Sequence, residues 1–209
     1  MKIHITRSLY LATVLGIFSI SPAAIAAENM IPNGDLENVN VLANGLPEGM
    51  AYWQEFAGDP IAIASLSQEE KSSGENSLCI ERLDNPEGHS RVCVAKAIPV
   101  EPGKHYSFSC KIKSTEFGKD PCIIIWATGG KSDKLLGIEN AATTSPGAKI
   151  SGRMLSLSKK LAEDPDGFNK VEMTFTVPAD GYFLTIYADF SWCAARKAWF
   201  DDFELLPID

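Results

Sequence analysis

The chain closes on AWFDDFELLPID, residues 198–209, where Asp201 and Asp202 interrupt an otherwise apolar, strand-like run. Strands disfavour aspartate, and a carboxylate turned toward a core is costly unless a cation or hydrogen-bond donors neutralise it. By alternation Asp201 shares a side with Trp199, Phe203 and Leu205, the side expected to face inward. Asp202 falls on the other side, with Phe200, Glu204 and Leu206. Such a pair either coordinates an ion or caps backbone amides, with Asp202 left to solvent.

Residues able to break bonds are not arranged to do so. The chain has no Gly-x-Ser-x-Gly elbow, no metal-binding His pair and no phosphate loop. Only His89 and His105 follow the N-terminal segment. Asp120, Asp133, Glu139, Asp164 and Asp166 fall in or near turn-like stretches. Two such carboxylates could in principle hydrolyse a glycosidic bond, but solvated surface charge accounts for them more simply. The expectation is a protein that is not an enzyme.

The first 26 residues read as a secretory signal peptide. Lys2 and Arg7 precede an apolar run from Leu9 to Ile20, and Ala24-Ile25-Ala26 gives a small-x-small cleavage site. The run is short for a membrane span, so no membrane insertion is expected after cleavage near Ala26, and the product is expected to be secreted or periplasmic. Residues 27–209 then form one domain. They carry 17 basic against 27 acidic residues, a net charge of −10. That balance argues against nucleic acid, whose phosphates call for a basic surface.

Candidate residues need elements to hold them, and the period-two pattern supplies these. HYSFSCKIK (105–113) sets Tyr106, Phe108, Cys110 and Ile112 against His105, Ser107, Ser109, Lys111 and Lys113. VEMTFTV (171–177) alternates Val171, Met173, Phe175 and Val177 in the same way. YFLTIYADF (182–190) sets Leu184, Ile186 and Ala188 against Phe183, Thr185, Tyr187 and Asp189. These patterns predict half-buried strands, and SLCIERL, RVCVAKAI and CIIIWAT add three more. DNPEGH, VEPGK and VPADG supply the turns. The stretch 129–169 is long and polar and reads as an insertion, with MLSLSKKLAED (154–164) either a short helix or a strand. Many short strands predict an all-β sandwich of two antiparallel sheets.

Five cysteines follow the signal, an odd number. If 77–83 pairs with 91–98, and 105–113 with 122–128, as hairpins, Cys79 faces Cys93 and Cys110 faces Cys122. Two bridges with Cys193 left over is one expectation; five separate buried thiols is the other.

Six ordered segments resemble a known group. NMIPNGDLEN (29–38) is similar to the opening of carbohydrate-binding modules of families 4, 9 and 22, which begin Asn-Gly-Asp-Phe-Glu. YWQEF, SSGENSL, VEPGKHYSFSCKIKS, FNKVEMTFTVPADGYFLTIYADF and WFDDFEL resemble their later segments in order, though the glycine of their Gly-Trp pair is missing before Trp53. The resemblance implies a jelly-roll β-sandwich of galactose-binding-domain-like type.

It also implies a structural calcium joining the first strand to the last. Asp35, Glu37 and Asp201, with carbonyls near Lys71–Gly74, are its candidate ligands, and such a hard ion takes six to eight oxygens. The implied partner is a polysaccharide or oligosaccharide held by aromatic stacking on a sandwich face. Tyr187, Trp53, Trp192, Gln54, Asp189 and Arg196 are the candidate contacts. Trp53 and Tyr187 fit packing and ligand roles equally, whereas strand context favours the core for Trp126 and Trp199, with Trp126 left ambiguous because IIIW has no clear alternation. A secreted structural or adhesion sandwich that meets a protein or envelope partner is the alternative function. An unrecognised glycoside hydrolase or polysaccharide lyase is a third.

Overall fold

Alternating apolar residues fold into strands that share one core between two sheets. The computed structural model describes residues 27–40, 46–54, 62–83, 90–115, 122–129, 135–145, 148–157, 167–189 and 197–208. Its strands are β1 (Ala51–Gln54), β2 (Ala62–Ser67), β3 (Ser77–Arg82), β4 (Ser90–Pro99), β5 (His105–Ser114), β6 (Cys122–Thr128) and β7 (Leu135–Leu136). These are followed by β8 (Glu139–Ala142), β9 (Ala148–Ser151), β10 (Met154–Leu157), β11 (Asn169–Thr176), β12 (Phe183–Asp189) and β13 (Lys197–Ile208). One sheet runs β1-β4-β12-β6-β10-β9, with β7 also paired to β6; the other runs β2-β3-β13-β5-β11-β8. Every described pairing is antiparallel. The all-β jelly-roll sandwich expected from the sequence is the fold.

The core is the predicted one on most strands. Tyr106, Phe108, Cys110 and Ile112 from β5 meet Val171, Met173 and Phe175 from β11 and Leu184, Ile186 and Ala188 from β12. Tyr106 stacks on Phe175 with ring centroids 6.2 Å apart, and its hydroxyl accepts the Glu101 N–H at 3.0 Å. A buried phenol thus keeps a partner for its polar end.

Connectivity departs from the hairpin reading. β3 and β5 lie in one sheet and β4 and β6 in the other, so each turn between them carries the chain across the sandwich. Cys79 therefore lies beside Ser65 and Trp199, not Cys93, and Cys93 beside Ala51 and Tyr187. Cys110 pairs in register with Val171, and Cys122 with Asp189 and Ser156. Neither expected bridge forms. Burial pushes the Cys79 and Cys93 thiols up to about 11 and Cys110 well above the ordinary range, which keeps them protonated and inert. Cys193 lies outside the described residues.

The described part of 129–169 is joined to the body. β10 pairs with β6, β9 with β10, and β8 with β11, so it widens both sheets. Residues 154–157 are strand, and no helix occurs among the described residues, hence none that could cross a membrane. The proposed signal peptide lies outside them.

The chain ends meet. The opening segment is a turn, not a strand, and is hooked to β13 through Met30 N–H to the Leu205 carbonyl (3.0 Å) and Phe203 N–H to the Gly34 carbonyl (2.8 Å). The Asn29 side chain donates to the Phe203 carbonyl and accepts from the Leu205 N–H. Gly34 is required here, because a β-carbon on it would stand 2.1 Å from the Phe203 carbonyl oxygen.

Candidate functional site

Asp201 and Asp202 sit where β13 breaks its alternation. Three steps along β13, from Asp201 to Glu204, match two along β5, from Lys111 to Ser109. The extra residue is a bulge, with Asp202 at φ 50°. It reverses the strand's parity. Ala198 and Phe200 face the core before it, Phe203 and Leu205 after it, and Trp199 and Asp201 fall on the opposite side. The inward Asp201 expected from strict alternation is corrected accordingly. Trp199 is buried as expected, but with Cys79 and Phe168 in a separate cluster.

Asp201 is fully buried because the loop 70–76 lies over it. Its Oδ2 accepts the Ser72 and Ser73 N–H groups at 2.8 and 3.2 Å, and its Oδ1 accepts the Asp202 N–H at 2.8 Å. Burial raises its pKa, and these amides pull it back. For Asp202, burial also pulls upward, but the Ser73 hydroxyl (2.5 Å) and Lys111 ammonium (3.0 Å) outweigh it and hold the carboxyl below its usual value. Glu37 grips the far end of the loop, its Oε1 accepting the Glu75 and Asn76 N–H groups at 3.0 Å each. Asp35 Oδ1 accepts the Glu37 N–H at 3.4 Å. The expected metal ligands are thus brought to one junction, where they hold backbone amides. Among the described residues no three metal-ligating side chains converge at one point. Glu37 Oε2, Asp35 Oδ2 and one lone pair each of Asp35 Oδ1 and Asp201 Oδ1 are the hard oxygen capacity that these amides leave.

The two outer sheet faces differ in chemistry. That of β2-β3-β13-β5-β11-β8 carries ion pairs: Lys111–Asp202, Lys113–Glu70, Lys170–Glu172, and Lys197 with Glu69 and Glu81. That of β1-β4-β12-β6-β10-β9 carries rings and aliphatic groups in register. One row runs Trp53, Arg91, Asp189, Cys122, Ser156, Lys149; the next runs Ala51, Cys93, Tyr187, Ile124, Met154. Thr185 and Trp126 pair one step further along. Tyr187 and Trp126 are therefore diagonal neighbours, about 7–8 Å apart. Both are half-buried, while Cys93, Cys122 and Ile124 around them are buried.

Four of the six predicted sugar contacts can now be placed. Tyr187 and Asp189 lie together on this face, with Asp189 paired to Arg91. Burial, then Cys93, raises the Tyr187 pKa, so its hydroxyl stays a neutral donor and acceptor. Trp53 and Gln54 occupy β1 opposite Arg91 and Ser90, which puts Trp53 on the Arg91 row. Trp192 and Arg196 lie outside the described residues. Trp126, for which strand context favours the core and IIIW gives no clear alternation, is on the outer face. Ile123, Ile125 and Ala127 take the core side of β6, and period two then leaves Trp126 outside. Arg153, in the β9–β10 turn, holds its guanidinium carbon 3.6 Å from the centroid of the Trp126 ring. Arg91, Arg153 and Trp126 were not among the contacts expected from the sequence. The parity of Ile123 and Ile125 was the available signal for Trp126.

No family model matches the chain, and no curated protein matches it. Solved structures do share its fold. The CBM22-1 xylan-binding domain from Paenibacillus barcinonensis Xyn10C matches over 90% of this chain and 99% of that one, at 11% identity and a TM-score of 0.51. The enzymatically active domain of bacteriophage CBA120 tailspike protein 4 matches over 86% of this chain, at 11% identity and a TM-score of 0.57. The arabinose-bound α-L-arabinofuranosidase MgGH51 matches over 87%, at 12% identity and a TM-score of 0.52. This chain spans about a fifth and a quarter of those two enzymes. What is shared at such identities is the fold, that of a carbohydrate-binding-module-like sandwich.

Proposed function

We propose that this protein binds a polysaccharide, without cleaving it, on the outer face of the sheet β1-β4-β12-β6-β10-β9. The observation that carries the reading is the placement of Tyr187 and Trp126. Two large rings stand half-exposed on one sheet face, while the other side of the same strands fills the core. Aromatic faces bury the C–H face of a sugar ring, and nearby polar groups meet its hydroxyls. Asp189, Arg91 and Thr185 are those groups here. The full-length likeness to a xylan-binding domain supports this reading, and the two enzymes match over a minor part of their length. In the proposed setting, the protein is exported by its signal segment and acts in the periplasm or outside the cell.

Affinity electrophoresis in gels containing soluble polysaccharides tests the proposal. Tyr187→Ala and Trp126→Ala are expected to weaken binding about tenfold or more, the equivalent of about 1.4 kcal/mol, with unchanged far-ultraviolet circular dichroism. Folded variants that bind as well as the wild type overturn the assignment of this face. New reducing ends or unsaturated products on incubation with the bound polymer overturn the non-catalytic part.

Calcium belongs to the same proposal. Asp201, Glu37 and Asp35 would hold it with carbonyls of residues 71–74, and its part would be to fasten the chain ends. A rise in melting temperature on adding calcium chloride, lost in Asp201→Ala, is the expected result. Equal melting of the wild type in calcium and chelator removes the ion from the reading.

A further inference from the structure

We infer that the sugar bound here carries a carboxylate, so that the ligand is a uronic-acid-containing polysaccharide. The inference rests on the binding reading above and narrows it. Trp126 Nε1 is buried and has no hydrogen-bond partner among the described residues. An indole N–H can only donate, and a buried donor without an acceptor is destabilising. The group lying on the ring is the Arg153 guanidinium, which also only donates. Arg153 is exposed and has no carboxylate partner among the described residues. Two donor-only groups therefore share one spot where no described residue supplies an acceptor.

The surrounding charge has the same sign. Lys149, on the row through Ser156 and Cys122, is exposed and makes no ion pair among the described residues. Asp189 is the acid of these register rows, and Arg91 neutralises it. This cationic corner stands out on a chain whose formal net charge is −8. It asks for a ligand group that is anionic, acceptor-only and planar. A carboxylate matches the guanidinium fork through two parallel N–H···O bonds. Carried on a pyranose ring, it lets the sugar stack on an aromatic face while its acid group meets Arg153. Arg153 projects from the turn beside Gly152, which has φ 58°. Its exposed side chain can swing off the indole to pair with the acid, which uncovers the ring for stacking.

The test compares polygalacturonate with its carboxyl-reduced form, which keeps the chain and loses the charge. The wild type is expected to bind the acidic polymer about tenfold more tightly or better, with a preference that shrinks as salt is raised. Arg153→Ala is expected to bring the preference close to one, and Arg153→Lys to restore part of it. Trp126→Phe, which keeps a ring and removes the N–H, is expected to lower it. Equal binding of both polymers overturns the carboxylate and leaves polysaccharide binding intact. Binding of neither, nor of neutral xylan, overturns both. Tighter binding of a sulfated polysaccharide than of polygalacturonate overturns the carboxylate in favour of a sulfate ester.

Discussion

Replacing Asp201 by alanine tests how the chain ends are joined. The carboxylate is fully buried and accepts three backbone N–H groups, from Ser72, Ser73 and Asp202. Hydrogen bonds to a charged acceptor contribute about 1.5–3 kcal/mol each, so the gross loss for three is about 4.5–9 kcal/mol. Two effects reduce it. Ser73 is exposed, so its amide turns to water once released. The raised pKa of Asp201 shows that burying its charge already opposes these bonds. A net loss of about 3 kcal/mol remains, near the penalty for leaving one or two buried donors unpaired. For a domain of this size that lowers the melting temperature by about 6–12 °C. Asp201→Asn keeps one acceptor oxygen but turns an NH2 group toward an amide donor, and is expected to lose about half as much. Urea unfolding followed by tryptophan fluorescence measures both, because Trp199 is buried on the same strand. An Asp201→Ala protein within about 0.5 kcal/mol of wild type, the range of an ordinary surface substitution, refutes the clasp. Parallel melts in calcium and in chelator separate an amide-held junction from an ion-held one.

Gly74→Ala probes the same loop from the other side. The residue has φ 56°, and a β-carbon would stand 2.4 Å from Glu37 Oε1. The expected loss exceeds the roughly 1 kcal/mol of a left-handed alanine. A double-mutant cycle with Glu37→Ala should recover the steric part and leave the backbone part. Acid stability should divide between the two aspartates. Asp202, with its pKa lowered in the folded state, stabilises the fold above its unfolded value of about 3.9, and that contribution is lost as pH falls through the folded value. Asp201, with its pKa raised, has the opposite sign: acid relieves its buried charge. Asp201→Asn should therefore steepen the loss of stability below pH ~5, and Lys111→Met should flatten it, as read from urea midpoints against pH.

Strand periodicity made most of the sandwich legible, because one residue in two on β5, β11 and β12 had to enter a shared core. Which strand pairs with which was not legible. A turn such as VEPGK looks the same whether it closes a hairpin or crosses between sheets, so the cysteine pairing built on hairpins failed with them. The bulge at Asp202 was equally hidden, since no pattern distinguishes one extra residue from continued alternation; that single residue moved Asp201 from the core side to the loop side. β8 and β9 escaped because edge strands with one exposed row carry few apolar residues, and their burial alternates only between partial and none.

The candidate site divided along the same line. The outward placement of Tyr187 and Asp189 was legible because β12 is central, and its core side was already filled by Leu184, Ile186 and Ala188. Trp126 was missed because isoleucines occupy both sides of β6, Ile124 on the outer face and Ile123 and Ile125 on the inner. A strand apolar on both sides usually lies between two layers. Here the second cover is made of the rings of Tyr187 and Trp126, so a strand that reads as core from sequence lies instead under the face proposed for binding.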